Sequence, residues 1–146
     1  MTIDDVLLTM RIQVTFSGLT GTVTVAHIHA ATALAGDGTA GVATTTPSFA
    51  GFPSGVTAGS YDNTLDMTLA SSYRAGYITS NGGTTALAFI ALKQAIIDGK
   101  AYLNIHSSAF PGGEIRTFLT PVPEPTAAGL AGLAFVGLAL RKRRRE

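Results

Sequence analysis

Apolar and polar side chains alternate along the first part of the chain. Every second residue from Leu8 to Phe16 is apolar, and polar or charged residues occupy the positions between them. Successive side chains of a strand point to opposite faces, so this pattern predicts a strand with one buried face. The same pattern predicts strands at residues 22–29, 61–69, 101–106 and 114–119, and a short strand near residues 42–45.

The spacing of the apolar residues changes in residues 84–98, where it fits a helix. The stripe that we expect this helix to bury consists of Leu87, Ile90, Ala91, Ala95 and Ile97. Thr84 or Thr85 would cap its first turn, and Gly99 would follow its last turn. Residues 31–60, which are rich in glycine, threonine, alanine and proline, are predicted as loops around the short strand, and residues 71–83 as another loop.

These elements predict a mostly β fold. A chain of 146 residues has room for one domain, and its strands are short and joined by turns. We therefore expect residues 1–121 to form an antiparallel β-sandwich, with one helix crossing between strands. That helix would cover a face or an edge of the sandwich, so that Ile90 is buried.

The last 25 residues have a different character. Residues 127–140 contain no charged side chain, and a cluster of basic residues follows them. A helix over residues 126–141 would be about 22 Å long, which is short for a bilayer core of about 30 Å. We predict a C-terminal apolar helix in the membrane, stopped on the cytoplasmic side by Arg141, Lys142, Arg143, Arg144 and Arg145. The alternative is a buried C-terminal helix followed by a solvated charge run.

The net charge of +1 hides an uneven distribution of charge. Half of the ten basic residues lie in the C-terminal cluster, and residues 1–121 carry five basic and seven acidic side chains, a net charge of −2. A nucleic-acid-binding domain would carry positive charge on its folded part, so nucleic acid is not expected as a partner. The chain has no cysteine, which excludes disulfide and thiolate chemistry.

The order of features in residues 122–146 resembles the PEP-CTERM sorting signal. Pro123, Glu124 and Pro125 are followed by the apolar run and then by the arginine cluster. The resemblance implies recognition by an exosortase, a membrane-embedded processing enzyme of Gram-negative bacteria. It also implies a precursor held transiently in the inner membrane, whose residues 1–121 are then released or attached at the cell surface. The two prolines keep the backbone extended, as a processing site requires.

The N-terminal residues differ from those of an exported protein. Residues 1–10 contain neither the basic segment nor the apolar segment of a secretory signal peptide. We therefore expect that the sequence is truncated or that its start codon lies too late.

All three histidines lie in two of the predicted strands. His27 and His29 are two residues apart, so both project from one face of their strand. Asn104 and His106 share a face of a later strand in the same way. If these strands are neighbours, three imidazoles and one amide lie close together.

Glu114 and Arg116 share one face of the last predicted strand. The turn at residues 107–113 would fold them back beside His106, so that all six polar side chains converge at one end of the sandwich. In one interpretation, these side chains form a buried hydrogen-bonded network that joins the strand ends. In the other, the histidines bind zinc or copper, and Glu114 is a fourth ligand or supports one. Arg116 argues against a metal unless Glu114 lies between them.

Three stretches of the chain resemble the CHRD domain, first named from chordin. They contain the sequences AHIHAA, DGKAYLNIHS and FPGGEIR, and the resemblance spans most of residues 12–119. It implies an immunoglobulin-like or superoxide-dismutase-like β-fold but no settled biochemical activity. The chain departs from the family pattern at Thr117, where glycine is usual, and we expect the family's first strand to be missing.

The sequence contains no motif that would make an enzyme the leading hypothesis. The G-x-S-x-G motif of serine hydrolases, for example, is absent. The leading hypothesis is an exported, non-enzymatic module of the cell surface or extracellular matrix, without a cofactor. Surface polysaccharide or matrix is the partner that such a location suggests. The alternative is a metal-binding protein, redox-active in the manner of a dismutase, with zinc or copper at His27, His29, His106 and Glu114.

Overall fold

The computed structural model describes residues 1–120. Its strands are β1 (Thr2–Asp4), β2 (Thr9–Phe16), β3 (Val23–His29), β4 (Gly59–Asp66), β5 (Tyr102–Ser107) and β6 (Ile115–Phe118). A 3-10 turn (Ala70–Ser72), helix α1 (Ala75–Ser80) and helix α2 (Thr85–Ile97) lie between β4 and β5. The predictions for the C-terminal apolar helix, the Pro-Glu-Pro element and the basic cluster fall outside the described residues.

The strands form two antiparallel sheets of three strands each. One sheet has the order β1-β2-β4, and the other has the order β3-β5-β6. The prediction of a mostly β, antiparallel chain is therefore confirmed. Whether the fold is closer to an immunoglobulin domain or to superoxide dismutase stays a prediction.

The two sheets contribute to one hydrophobic core. On β2, Met10, Ile12 and Phe16 are buried, and the intervening polar side chains face solvent, where Arg11 pairs with Asp62 of β4. The second sheet adds core residues from β3 and β5, namely Ala26, Ile28, Leu103 and Ile105. Because side chains alternate along a strand, the neighbours of these four residues lie on the outer face of the second sheet.

The structure corrects the prediction in three places outside α2. β1 pairs with β2 and was not predicted. Residues 71–83, predicted as a loop, contain α1, whose six residues are too few to show a helical period. Residues 42–45 form no strand, because Val42 and Thr44 make only isolated bridges to His29 and Tyr73. The described residues therefore contain two α-helices instead of one.

Helix α2 has the predicted ends but a different buried face. The Thr84 hydroxyl accepts a hydrogen bond from the Leu87 amide, and Gly99 follows the last turn with a φ of 67°. The buried residues are Ala88, Phe89, Leu92, Ala95 and Ile96. Ile90 is 57% exposed, and Leu87 and Ile97 are also exposed, so the prediction of a buried Ile90 is wrong. The helix is apolar around most of its circumference, and spacing alone could not identify the inward face.

Among residues 1–120, the structure contains no helix with the length and apolar character needed to cross a bilayer.

Candidate metal centre

The pairing of β3 with β5 brings the three histidines together. In this register His27 lies opposite Asn104, His29 lies opposite Tyr102, and His106 lies opposite Val25. Since the alternate residues of both strands are in the core, the histidines project from the outer face of the second sheet. Loop segments cover this face, because His27 is only 7% exposed and His29 and His106 are half-buried.

The ring nitrogens of the three histidines converge. The Nε2 atoms of His27 and His106 are 3.0 Å apart. One ring nitrogen from each histidine lies within 4.8 Å of the other two. The rings of His27 and His29 meet at 4.7 Å between centroids, and those of His27 and His106 meet at 4.8 Å. Three imidazoles therefore surround a space about as large as one ion.

Each histidine is oriented by a backbone carbonyl, two of them in the connection between β3 and β4 and one in the turn between β5 and β6. The Nδ1 atoms of His27, His29 and His106 lie 2.9, 2.8 and 2.7 Å from the carbonyl oxygens of Pro47, Ala40 and Pro111. A carbonyl oxygen can only accept a hydrogen bond, so each Nδ1 carries the proton and each Nε2 keeps its lone pair. Metal-binding histidines are typically oriented in this way by a partner on the other ring nitrogen.

Within residues 1–120, the lone pairs of His27 Nε2 and His29 Nε2 lack a hydrogen-bond donor, whereas that of His106 Nε2 lies 3.2 Å from the Asn104 amide nitrogen. His29 Nε2 is buried and has no hydrogen-bond partner among the described residues. The Nε2 atoms of His27 and His106 face each other, although neither carries a proton to donate when both rings are neutral. A buried acceptor without a donor is costly, and a cation at this point would satisfy all three nitrogens.

Burial keeps two of these imidazoles neutral. It lowers the pKa of His27 to about 4, against a smaller opposing effect of the Pro47 carbonyl, and the neighbouring histidines lower it further. Burial also lowers the pKa of His29, with the Ala40 carbonyl again opposing it. At neutral pH both rings are therefore in the unprotonated form that a metal ion requires.

Asn104 forms the floor of the cluster. It is 4% exposed, and its Nδ2 donates to the carbonyl oxygen of Gly112 at 3.2 Å and lies 3.2 Å from His106 Nε2. Its Oδ1 is buried and has no hydrogen-bond partner among the described residues. Gly113 packs against this amide with a φ of +116°, and an added Cβ would come within 2.6 Å of Asn104 Cγ. The turn before β6 therefore closes over the amide.

Glu114 does not join the histidines. Its carboxylate accepts hydrogen bonds from the Ser107 hydroxyl and from the backbone amides of Thr20 and Gly21. The bond from Ser107 is the largest of the effects that lower the pKa of Glu114. This carboxylate anchors the turn between β2 and β3. Among the described residues, the side chains placed to hold a metal ion are those of the three histidines. We predicted Glu114 as a ligand, and its placement does not support that role.

Arg116 lies near the cluster but is separated from it by an aromatic ring. Its guanidinium stands 4.0 Å from the centre of the Tyr102 ring, and it also donates to the carbonyl oxygen of Gly38. The Tyr102 ring in turn stacks on His29, with 4.7 Å between centroids and 4° between planes. Tyr102 therefore lies between the Arg116 guanidinium and the histidines, the position that the sequence suggests for Glu114.

Sequence reasoning did not identify Tyr102 or the three carbonyl groups as parts of the site. Tyr102 shares the strand face of Asn104 and His106, so the period of two contained a signal for it. The carbonyls of Ala40, Pro47 and Pro111 lie in connections without periodicity, and no pattern of side chains indicates where such groups point.

The arrangement suits a borderline transition metal. Neutral imidazole is a preferred ligand of zinc and copper, and three-histidine sets occur in zinc sites. Two nitrogens at about 2.05 Å from a tetrahedral zinc ion are about 3.3 Å apart. The 3.0 Å between His27 Nε2 and His106 Nε2 is close to that spacing. A ring nitrogen of His29 lies within 4.8 Å of a ring nitrogen of each of the other two histidines.

Two protein-family models together match most of the chain. The model of the CHRD domain matches residues 1–119, and the model of the PEP-CTERM protein-sorting motif matches residues 121–145. The motif marks a membrane-anchored precursor that is processed by an exosortase-type enzyme and exported to the cell surface or extracellular space. No curated protein and no solved structure matches the chain.

Proposed function

Because the chain belongs to the CHRD domain family and carries a PEP-CTERM protein-sorting motif, we propose that it is an exported metal-binding module. The metal is zinc or copper, and its ligands are the Nε2 atoms of His27, His29 and His106. The observation that carries this proposal is the convergence of three lone pairs whose rings are each held by a carbonyl on the opposite nitrogen.

A purely structural polar network is less consistent with these contacts. Such a network needs a donor for each buried acceptor. Three Nε2 acceptors meet here, and the side-chain donor near them is the Asn104 amide, which also donates to Gly112. A metal ion removes this imbalance without any change in the fold, so the cluster is better suited to a cation than to a network.

Zinc and copper differ in what they would add to the protein. Zinc accepts a tetrahedral set and has no redox chemistry, so the redox activity that we considered would require copper. The absence of enzymatic activity and the binding of surface polysaccharide or matrix stay predictions. The exported location is compatible with either metal.

The test is a metal titration of the full chain purified in detergent and stripped with a chelator. We expect one zinc or copper ion per chain. His106→Ala should lower the affinity by more than about 100-fold, the upper limit of what the loss of an outer partner costs. Gln13→Ala, a change on the exposed face of the other sheet, is the matched control and should bind as the wild type does. Binding that is unaffected by His106→Ala would overturn the proposal.

A further inference from the structure

The three histidines leave one coordination position of a tetrahedral ion without a protein ligand. In the described part of the chain, the metal-competent group contains His27, His29 and His106 and no fourth histidine, cysteine or carboxylate. Zinc sites with three protein ligands keep the fourth position for water or another exchangeable group. The chemistry of the metal therefore depends on what the surrounding side chains offer at this position.

Asn104 offers a hydrogen-bond donor there. Its Nδ2 has two hydrogens, and the bond to the Gly112 carbonyl oxygen identifies this atom as the nitrogen of the amide. The second hydrogen is directed at His106 Nε2, 3.2 Å away. A metal ion would take the lone pair of His106 Nε2, and the second N–H would then need another acceptor. An oxygen atom bound to the metal beside His106 is within reach of it.

The charge around the position favours an anion. Three neutral imidazoles leave the full charge of a divalent ion uncompensated, and the carboxylate of Glu114 is engaged by Ser107 instead. The Arg116 guanidinium adds positive charge behind the Tyr102 ring. His106 is half-buried beside the exposed residues Pro111 and Gly112, so a small ligand can approach from that turn.

We propose that the metal binds a small anionic oxygen ligand of the carboxylate class, positioned by the Asn104 amide. This inference rests on the proposed metal site and adds an exchangeable ligand to it. Asn104 acts as a positioning residue, because it holds the ligand oxygen and does not bind the metal. The site is then an open Lewis-acid centre and not a closed structural one.

Cobalt(II) and acetate provide the test. The stripped full chain in detergent is loaded with one equivalent of Co²⁺, whose visible absorption reports its coordination, and acetate is titrated in. We expect a saturable shift of the cobalt bands in the wild type. In Asn104→Leu, which has a similar volume and no donor, Co²⁺ should stay bound while the acetate affinity falls about tenfold or more. Gln13→Leu, on the other sheet, should behave as the wild type.

The outcomes separate this inference from the proposed function. Failure of the wild type to bind one Co²⁺ would overturn the metal site itself. If the wild type binds Co²⁺ but acetate does not shift the cobalt absorption bands, the exchangeable fourth position is overturned and the metal site is not. Equal acetate affinities in the wild type and Asn104→Leu would overturn the role of Asn104. Should Asn104→Leu misfold, Asn104→Ala, which is smaller and has no side-chain donor, replaces it, and the wild-type titration is independent of both variants.

Discussion

Gly113 meets the Asn104 amide so closely that no side chain fits between them. Its φ of +116° is itself strained for other residues, and an added Cβ would lie 2.6 Å from Asn104 Cγ. We expect Gly113→Ala to lower the free energy of unfolding by more than about 2 kcal/mol. Because the change displaces the turn whose Pro111 carbonyl orients His106, it should also weaken zinc binding about tenfold. Urea denaturation and a competitive zinc titration measure the two effects.

The neighbouring Gly112 is the matched control for this change. It lies in the same turn, but an added Cβ would meet no atom within 4 Å. Gly112→Ala should therefore change the stability by no more than about 0.5 kcal/mol and leave zinc binding intact. Similar losses in both variants would mean that the turn needs glycine for a reason other than the contact with Asn104.

At the scale of single residues, the strand period predicted which side chains share a face but not what each one touches. The spacing of two placed His27 and His29 on one face of a strand, and both lie in β3, which pairs with β5. The spacing of Glu114 suggested that it would join them. Its carboxylate instead satisfies the amides of the turn between β2 and β3, and that long-range contact has no local signature.

Helix α2 shows how an element can be predicted while its orientation is not. Leu92 is 1% exposed and Ile90 is 57% exposed, although both are large aliphatic residues two positions apart. We expect Leu92→Ala to lower the free energy of unfolding by about 2–5 kcal/mol, because it leaves a cavity in the core. Ile90→Ala in the same helix should cost no more than about 0.5 kcal/mol. Thermal or urea denaturation of the two variants decides the point.

A larger loss of unfolding free energy in Ile90→Ala than in Leu92→Ala would instead support the buried face that the sequence suggested, which includes Ile90. Nothing local distinguishes the two faces, since apolar residues occupy nearly the whole circumference of α2. The ends of the helix were predictable because the Thr84 hydroxyl and Gly99 act on their own neighbours. The inward face depends on packing against the sheets, which spacing within one element does not contain.

On the scale of the whole molecule, the metal centre joins parts of the chain that are far apart in sequence. His27 and His106 are separated by 79 positions and meet only because β3 pairs with β5. The carbonyls that orient the rings come from the connection after β3 and from the turn before β6. The sequence could predict that the strands pair in antiparallel sheets. It could not predict that the connection between β3 and β4 passes over the histidines. A bound ion would therefore stabilise long-range contacts of the fold.

The last prediction follows from this linkage and uses His106→Ala in two states of the protein. An ion that binds the folded state alone stabilises it by about 2.7 kcal/mol at a free concentration of 100 times Kd. At that concentration of zinc or copper, the ion should therefore add about 2 kcal/mol to the difference in unfolding free energy between the wild type and His106→Ala, since a variant that binds 100-fold more weakly gains only about 0.4 kcal/mol. After both proteins are stripped with a chelator, this added difference should vanish, and only about 1 kcal/mol should remain for the lost hydrogen bond from His106 Nδ1 to the Pro111 carbonyl oxygen. Calorimetry of the four samples gives the result. A difference that is the same in the loaded and the stripped proteins would instead assign His106 to a structural hydrogen-bonded network and reject the metal centre.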